Sequence, residues 1–385
     1  MSTRNLRSVA ALCLALVSLT SGCSSSEDSG RPYTPRTRTY YIAADEVDWD
    51  YAPSGMDRLM GMPFDADALV FVEPGPERIG RVYKKALYRE YTDETFTQLK
   101  EIPAAWQHRG ALGPIIRGVV GDTIEVFFKN NSTDYSYAIH PHGVLYKKDS
   151  EGAPYNDGTT GADRADDDVA PGGTHKYVWQ VEERSGPGPL DPSSVAWLYH
   201  SHADEPADTN AGLIGLIIIT DDEKVGDADL ATPADVDSEV ALLFTVFDEN
   251  ISWYLQDNIQ EKITANGGDP ATIDPGNEDF IESNLMHNIN GFVYGNLPVP
   301  QLALGGRTRW YFTAMGTEVD IHTPHFHANT LDWHGNMVDT VEVFPASTTQ
   351  ADMVTDNPGI WMFHCHVNDH IYAGMGGRYE VVAAP

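Results

Sequence analysis

Cysteine is scarce in this chain: there are three in 385 residues, and two of them, Cys13 and Cys23, fall within the first 23 positions. Cys365 is therefore alone in the rest of the chain and has no intrachain disulfide partner. Basic residues are scarce too, 25 against 57 acidic ones, for a formal net charge of -32. A nucleic-acid partner needs a basic footprint, so none is expected. Most of the acids read as a solubilising surface, whose field would attract metal cations. No apolar run reaches the roughly 20 residues that a membrane-spanning helix needs. No long stretch carries a convincing helical period.

The N-terminus reads as an export leader. Arg4 and Arg7 precede the apolar run 9–19, and Leu19-Thr20-Ser21-Gly22-Cys23 resembles a bacterial lipobox. The expectation is a lipoprotein signal peptide over 1–23 and a lipid on Cys23. That anchor would hold the protein on the outer side of the cytoplasmic membrane or in the periplasm. Residues 24–39, rich in Ser, Arg, Pro and Asp, read as a flexible tether. A lone thiol in an exported domain asks for a chemical role, and metal ligation supplies one.

Short β-rich runs bounded by Gly, Pro, Asn and Asp fill both halves, for example 123–128, 176–181, 213–220, 240–246 and 309–312. They predict an all-β chain of two Greek-key β-sandwich domains, 40–222 and 238–385. The acidic, Pro-containing stretch 223–237 reads as the linker. The halves echo each other: a Gly-led pattern at 121–128 precedes His140, and a similar one at 306–312 precedes His322. Each half then ends in a second His-x-His pair. A duplicated sandwich is the simplest explanation.

Ten of the 14 histidines fall into four clusters: His140-Pro141-His142, His200-Ser201-His202, His322-Thr323-Pro324-His325-Phe326-His327, and His364-Cys365-His366 with His370. Side chains two apart on a strand share a face, so each His-x-His pair presents two imidazoles together. The same alternation places Cys365 opposite His364 and His366. A blue-copper site needs two imidazoles, one thiolate and a weak axial thioether. Cys365, His370 and Met375 provide most of that set, and His322, left over after the pairs are counted, completes it. The eight paired imidazoles can ligate three further coppers. Zinc fits poorly, because one thiolate among so many imidazoles matches no closed four-ligand site.

The four clusters, in this order, resemble those of the multicopper oxidases. The resemblance implies cupredoxin-like sandwiches and four coppers. It makes His322, Cys365, His370 and Met375 the type 1 ligands, and His140 and His325 the type 2 pair. The type 3 coppers would take His142, His200 and His366 on one side and His202, His327 and His364 on the other. Electrons would pass from Cys365 through its covalent neighbours His364 and His366. The segments 40–55 (YYIAADEVDWDYAPSG), 183–188, 211–215 and 282–287 are similar to phrases of the ceruloplasmin and hephaestin type. The chain departs from that type in having one domain pair rather than three, and no cysteine in its first domain.

The resemblance further implies a ferrous-iron site beside the type 1 copper at Glu282, His287 and Asp369, with Glu318 as a further acidic position. It also implies a calcium site at Asp166, Asp167 and the carbonyl of Lys148. The coupled reaction would be oxidation of ferrous iron with reduction of O2 to water. Alternatives are a laccase-like oxidation of phenols or cuprous ion, and a non-catalytic copper carrier or interaction protein. The cluster ligands come half from each domain, so with one domain pair per chain a head-to-tail homotrimer would close the cluster between subunits.

Overall fold

The computed structural model describes residues 33–383. The expected leader and Cys23, the expected site of lipid attachment, lie outside the described residues. The first half contains a sheet ordered Val82–Tyr91, Thr37–Asp50, Thr123–Asn130, Thr174–Gln180 and Leu145–Tyr146. Facing it is a sheet ordered Ile116–Val119, Ile214–Thr220, Ser194–His200 and His140–Pro141. In Thr123–Asn130 every second residue is buried, the period of a strand with one face on the core.

The second half repeats this wiring. Thr123–Asn130 lies parallel to Thr37–Asp50 and antiparallel to Thr174–Gln180, and Arg307–Ala314 is related in the same way to Ser238–Asp248 and Thr348–Val354. His140–Pro141 pairs antiparallel with Ser194–His200, as Pro324–Phe326 does with Gly359–Cys365. The Gly-led echoes in the sequence thus mark equivalent strands of two β-sandwiches.

Strand Ile214–Thr220 is buried on both faces. Ile217 and Ile219 enter the first sandwich's own core, whereas Ile214, Leu216 and Ile218 face a second core. That second core also takes Ala241, Leu243, Phe247 and Tyr311 from the other sandwich. Polar welds cross the same boundary. Arg309, fully buried, grips Asp352 at 2.7 and 2.9 Å and donates to Ser193 and Ser194 at 2.7 Å each. Lys85 and Glu249, both with fully buried side chains, pair at 2.5 Å.

Two expectations need correction. Residues 33–39 are not tether: the first strand begins at Thr37, and Asp122 gathers the residues before it. Asp122, 1% exposed, accepts from Arg38 Nε and Tyr33 Oη at 2.6 Å each, from the Arg36 amide at 2.8 Å and from the Val119 amide at 2.9 Å. The stretch 223–237 is likewise a clamped hairpin, Val225–Asp227 with Thr232–Pro233. Arg38 donates to the carbonyls of Ala228 and Asp229 at its tip, at 2.7 and 2.8 Å. Acidic composition suggested a free linker because it cannot show that Arg38, far away in sequence, caps those carbonyls. Asp122→Ala would strand the Arg38 charge, and removing one partner of a buried pair costs about 3–5 kcal/mol. A denaturant midpoint for that variant equal to wild type would contradict this account.

Candidate metal centre

Strand Gly359–Cys365 lies between Pro324–Phe326 and Gly376–Val382. Cys365, fully buried, points into the sandwich core with Phe326, Phe363 and Met375. Beyond Cys365 the chain turns through the one-turn helix Asn368–Tyr372, and Met375 returns to donate its amide to the His370 carbonyl at 2.9 Å. The carbonyl of Met375 in turn accepts from the Cys365 amide at 3.1 Å. His322 is held from the other side by a reciprocal pair of backbone hydrogen bonds with Val343, at 2.9 and 3.0 Å.

These constraints bring three soft or borderline donors together. Nδ1 of His322 and Nδ1 of His370 lie 3.1 Å apart, with Cys365 Sγ at 3.8 and 3.4 Å from them. Burial pushes the Cys365 thiol up, while the Thr323 and Val367 amides stabilise the thiolate. Two imidazole nitrogens converging on a buried sulfur, with a buried Met375 in the same core, is a donor set that fits copper.

The eight paired imidazoles form two groups. In the first, His140 pairs in register with His200, and ring centroids of His140, His142, His200 and His202 lie 5.3–5.6 Å apart. In the second, His325 pairs with His364, and His325, His327, His364 and His366 lie 5.0–5.4 Å apart. Backbone carbonyls engage Nδ1 in both: Glu151 with His140 at 2.6 Å, Ser201 with His200 at 3.0 Å, Asp339 with His325 at 3.1 Å and Cys365 with His364 at 2.8 Å. A carbonyl on Nδ1 fixes the tautomer and leaves the Nε2 lone pair free for a metal. Among the described residues, no ring contact joins the first group to the second.

The proposed substrate residues are only partly gathered. The His287 ring lies 5.4 Å from that of His370, and Asp369 is the exposed residue just before His370. Glu282 is exposed near the end of helix Glu278–Ser283, and Glu318 is exposed on the turn before His322. Among the described residues, neither acid joins His287 and Asp369 in a group whose ligand atoms all lie within 4.8 Å.

Asp166 and Asp167 are both buried; Asp166 Oδ1 has no partner, whereas Asp167 Oδ2 lies 3.0 Å from Nη2 of Arg164. An orphaned anionic oxygen such as that of Asp166 fits a hard cation. The side chain of Lys148 pairs with Glu151 and Asp157, so only its carbonyl is free for the role inferred from sequence.

Sequence reasoning missed two buried acids. Asp208 accepts from Ser201 Oγ at 2.6 Å and Trp253 Nε1 at 2.8 Å, which braces the residue between His200 and His202. Burial pushes its carboxyl up to about 6. Asp320 lies beside His322. The hydroxyl between two histidines was a usable signal for the first. An acid two residues before His322 was a weak one for the second.

Burial, reinforced by neighbouring imidazoles, holds His142 and His370 down to about 4 and His200 down to about 3. They are neutral, and so competent ligands, at ordinary pH. An unfolded chain takes up these protons from about pH 6.5 downward. Between there and the folded values the unfolded state binds more protons, so stability falls as pH drops. Copper-free protein should therefore lose denaturant resistance steadily below about pH 6.5, and a flat profile down to about pH 4 would contradict the burial of these rings.

Comparison with known proteins agrees with this geometry. Two family models, each described as multicopper oxidase, match residues 94–224 and 262–385. The chain is 44% identical over 348 residues to the ferroxidase HEPHL1 of Homo sapiens, covering 90% of this chain and 29% of that protein. It is 43% identical over 350 residues to human hephaestin, covering 90% and 29%, and 40% identical over 350 residues to human ceruloplasmin, covering 91% and 32%. The chain thus spans less than a third of the length of each of these relatives. Among solved structures, a multicopper oxidase aligns with TM-score 0.55 at 18% identity over 90% of this chain and 89% of that one. A copper nitrite reductase from Nitrosomonas europaea aligns with TM-score 0.55 at 15% identity, over 90% and 94%. These structural likenesses establish the cupredoxin-like fold alone. With both sandwiches matched and the thiolate and imidazole donors gathered in the second, the chain belongs to the multicopper oxidase family, of the ceruloplasmin and hephaestin type.

Proposed function

We propose that this protein is a ferroxidase that couples oxidation of ferrous iron to reduction of O2 to water. The observation that carries the reading is the His287 ring, whose centroid lies 5.4 Å from that of His370 with the planes tilted by 49°, and Asp369 directly before His370 in the chain. His322, Cys365, His370 and Met375 would hold the type 1 copper, and the eight paired imidazoles would hold the type 2 and type 3 coppers. Copper held by these residues would supply one-electron acceptance from the reductant and four-electron reduction of O2.

The chain's own residues account for the coupling. His287 and Asp369 offer a nitrogen and a hard oxygen to iron at the edge of the thiolate site, and Glu282 and Glu318 would add carboxylates. Cys365, His322 and Met375 are fully buried, which keeps water from the thiolate. His364 and His366 are covalent neighbours of Cys365, so the path from sulfur to the cluster imidazoles is backbone. Replacing Glu282 or Asp369 by Ala should lower iron oxidation at least tenfold, by roughly 1.4 kcal/mol or more of transition-state stabilisation, with little effect on a bulky phenol. Equal loss of both activities would favour the laccase-like reading.

The reading includes a head-to-tail homotrimer. Its support is that the two imidazole groups share no ring contact among the described residues, so each would be completed by the other group of a neighbouring copy, in a heterologous ring. Copper-loaded protein should have three times the mass of its chain in solution. A fully loaded monomer would refute the shared cluster. Calcium at Asp166, Asp167 and the Lys148 carbonyl, and acylation of Cys23 outside the cytoplasmic membrane, belong to the same reading. The first rests on the orphaned Oδ1 of Asp166 and the second on the sequence of residues 19–23.

A further inference from the structure

Asp320 is one acid among 57 acidic residues, but its surroundings set it apart. It is 2% exposed, and Oδ1 accepts from the Val246 amide at 2.6 Å while Oδ2 accepts from the Thr317 amide at 2.8 Å. The same Oδ1 lies 3.4 Å from Nε2 of His322. That ring is fully buried, and its Nε2 has no aligned hydrogen-bond partner. The opposite nitrogen, Nδ1, faces Cys365 and His370.

The local backbone is shaped to hold the carboxylate in place. Gly316 has φ +131°, and a Cβ there would fall 2.0 Å from Asp320 Oδ2. Thr245 Oγ1 donates to the Met315 carbonyl at 2.7 Å, pinning the turn to strand Ser238–Asp248, which also supplies Val246. A buried carboxylate with two amide donors and one imidazole N–H in reach has a place for each lone pair that faces them.

We propose that Asp320 is a positioning residue for the thiolate site. It accepts from Nε2–H of His322, fixes the tautomer, and directs Nδ1 toward Cys365 and His370. A carboxylate behind a ligating imidazole also makes that imidazole a stronger donor, which favours the oxidised metal. The inference rests on the assignment of His322, Cys365 and His370 as copper ligands.

Two measurements test it. In copper-free wild-type protein carrying nitrogen-15 histidine, His322 should appear as the single Nε2–H tautomer, and an Nδ1–H form or a mixture would overturn the inference. In copper-loaded protein, Asp320→Asn should retain the blue band but raise the equilibrium constant for reduction about tenfold, about 59 mV for a one-electron couple. The copper hyperfine splitting should change with it. A role confined to folding would lower copper loading without moving the potential of the loaded fraction, and that result would also overturn it. If Asp320→Asn takes up no copper, the wild-type tautomer still decides. Wild-type protein with no blue band would remove the ligand assignment instead, a result distinguishable from failure of Asp320 alone.

Discussion

The pleat of strand Gly359–Cys365 divides the chemistry of this protein between two places. Neighbouring side chains on a strand point to opposite faces, so Cys365 enters the core of the second sandwich while His364 and His366 join the imidazole group on the other side. The peptide bonds on either side of Cys365 therefore connect a buried sulfur to an imidazole cluster. No side chain rearrangement is needed to bring these donors into range of one another. The rest of the second sandwich is arranged around keeping that strand fixed, with His325 in register beside His364 and the aromatic rings of Phe326 and Phe363 stacked at 5.4 Å behind it.

Rigidity between the sandwiches serves the same end. A doubly buried strand, Ile214–Thr220, runs directly out of the segment that holds His200 and His202 and contributes alternate residues to the core shared with the second sandwich. The Lys85–Glu249 pair joins charges from the two halves, and Arg309, paired with Asp352 in its own half, donates to Ser193 and Ser194 of the other. Buried pairs of this kind add little net stability but are costly to break. Their effect is to give the two halves one relative placement, so the two imidazole groups are presented at fixed positions on one compact body.

Much of the copper chemistry was legible in the sequence because it depends on near neighbours. His-x-His on a strand, Cys between two histidines, and His370 and Met375 a few residues on are local facts, and the pleat converts them directly into geometry. The duplication was legible for the same reason, through the glycines before Thr123 and Arg307. The tether and linker were misjudged because composition alone carries no knowledge of distant partners: Asp122 claims the residues before the first strand, and Arg38 claims the hairpin at 225–233. The residues proposed to face iron were expected by resemblance alone, and of that set His287 lies beside the His370 ring and Asp369 precedes it in the chain.

The sequence by itself determined the donor types, their spacing and the all-β duplicated frame, since these follow from alternation over a few residues. Tertiary structure decided how His322, which the histidine count left over, meets Cys365 across the sandwich, and set Asp320 against its far nitrogen. It also decided that, among the described residues, the two imidazole groups share no ring contact. Both outcomes depend on residues brought together from strands far apart in sequence, where packing and burial, not periodicity, choose the neighbours.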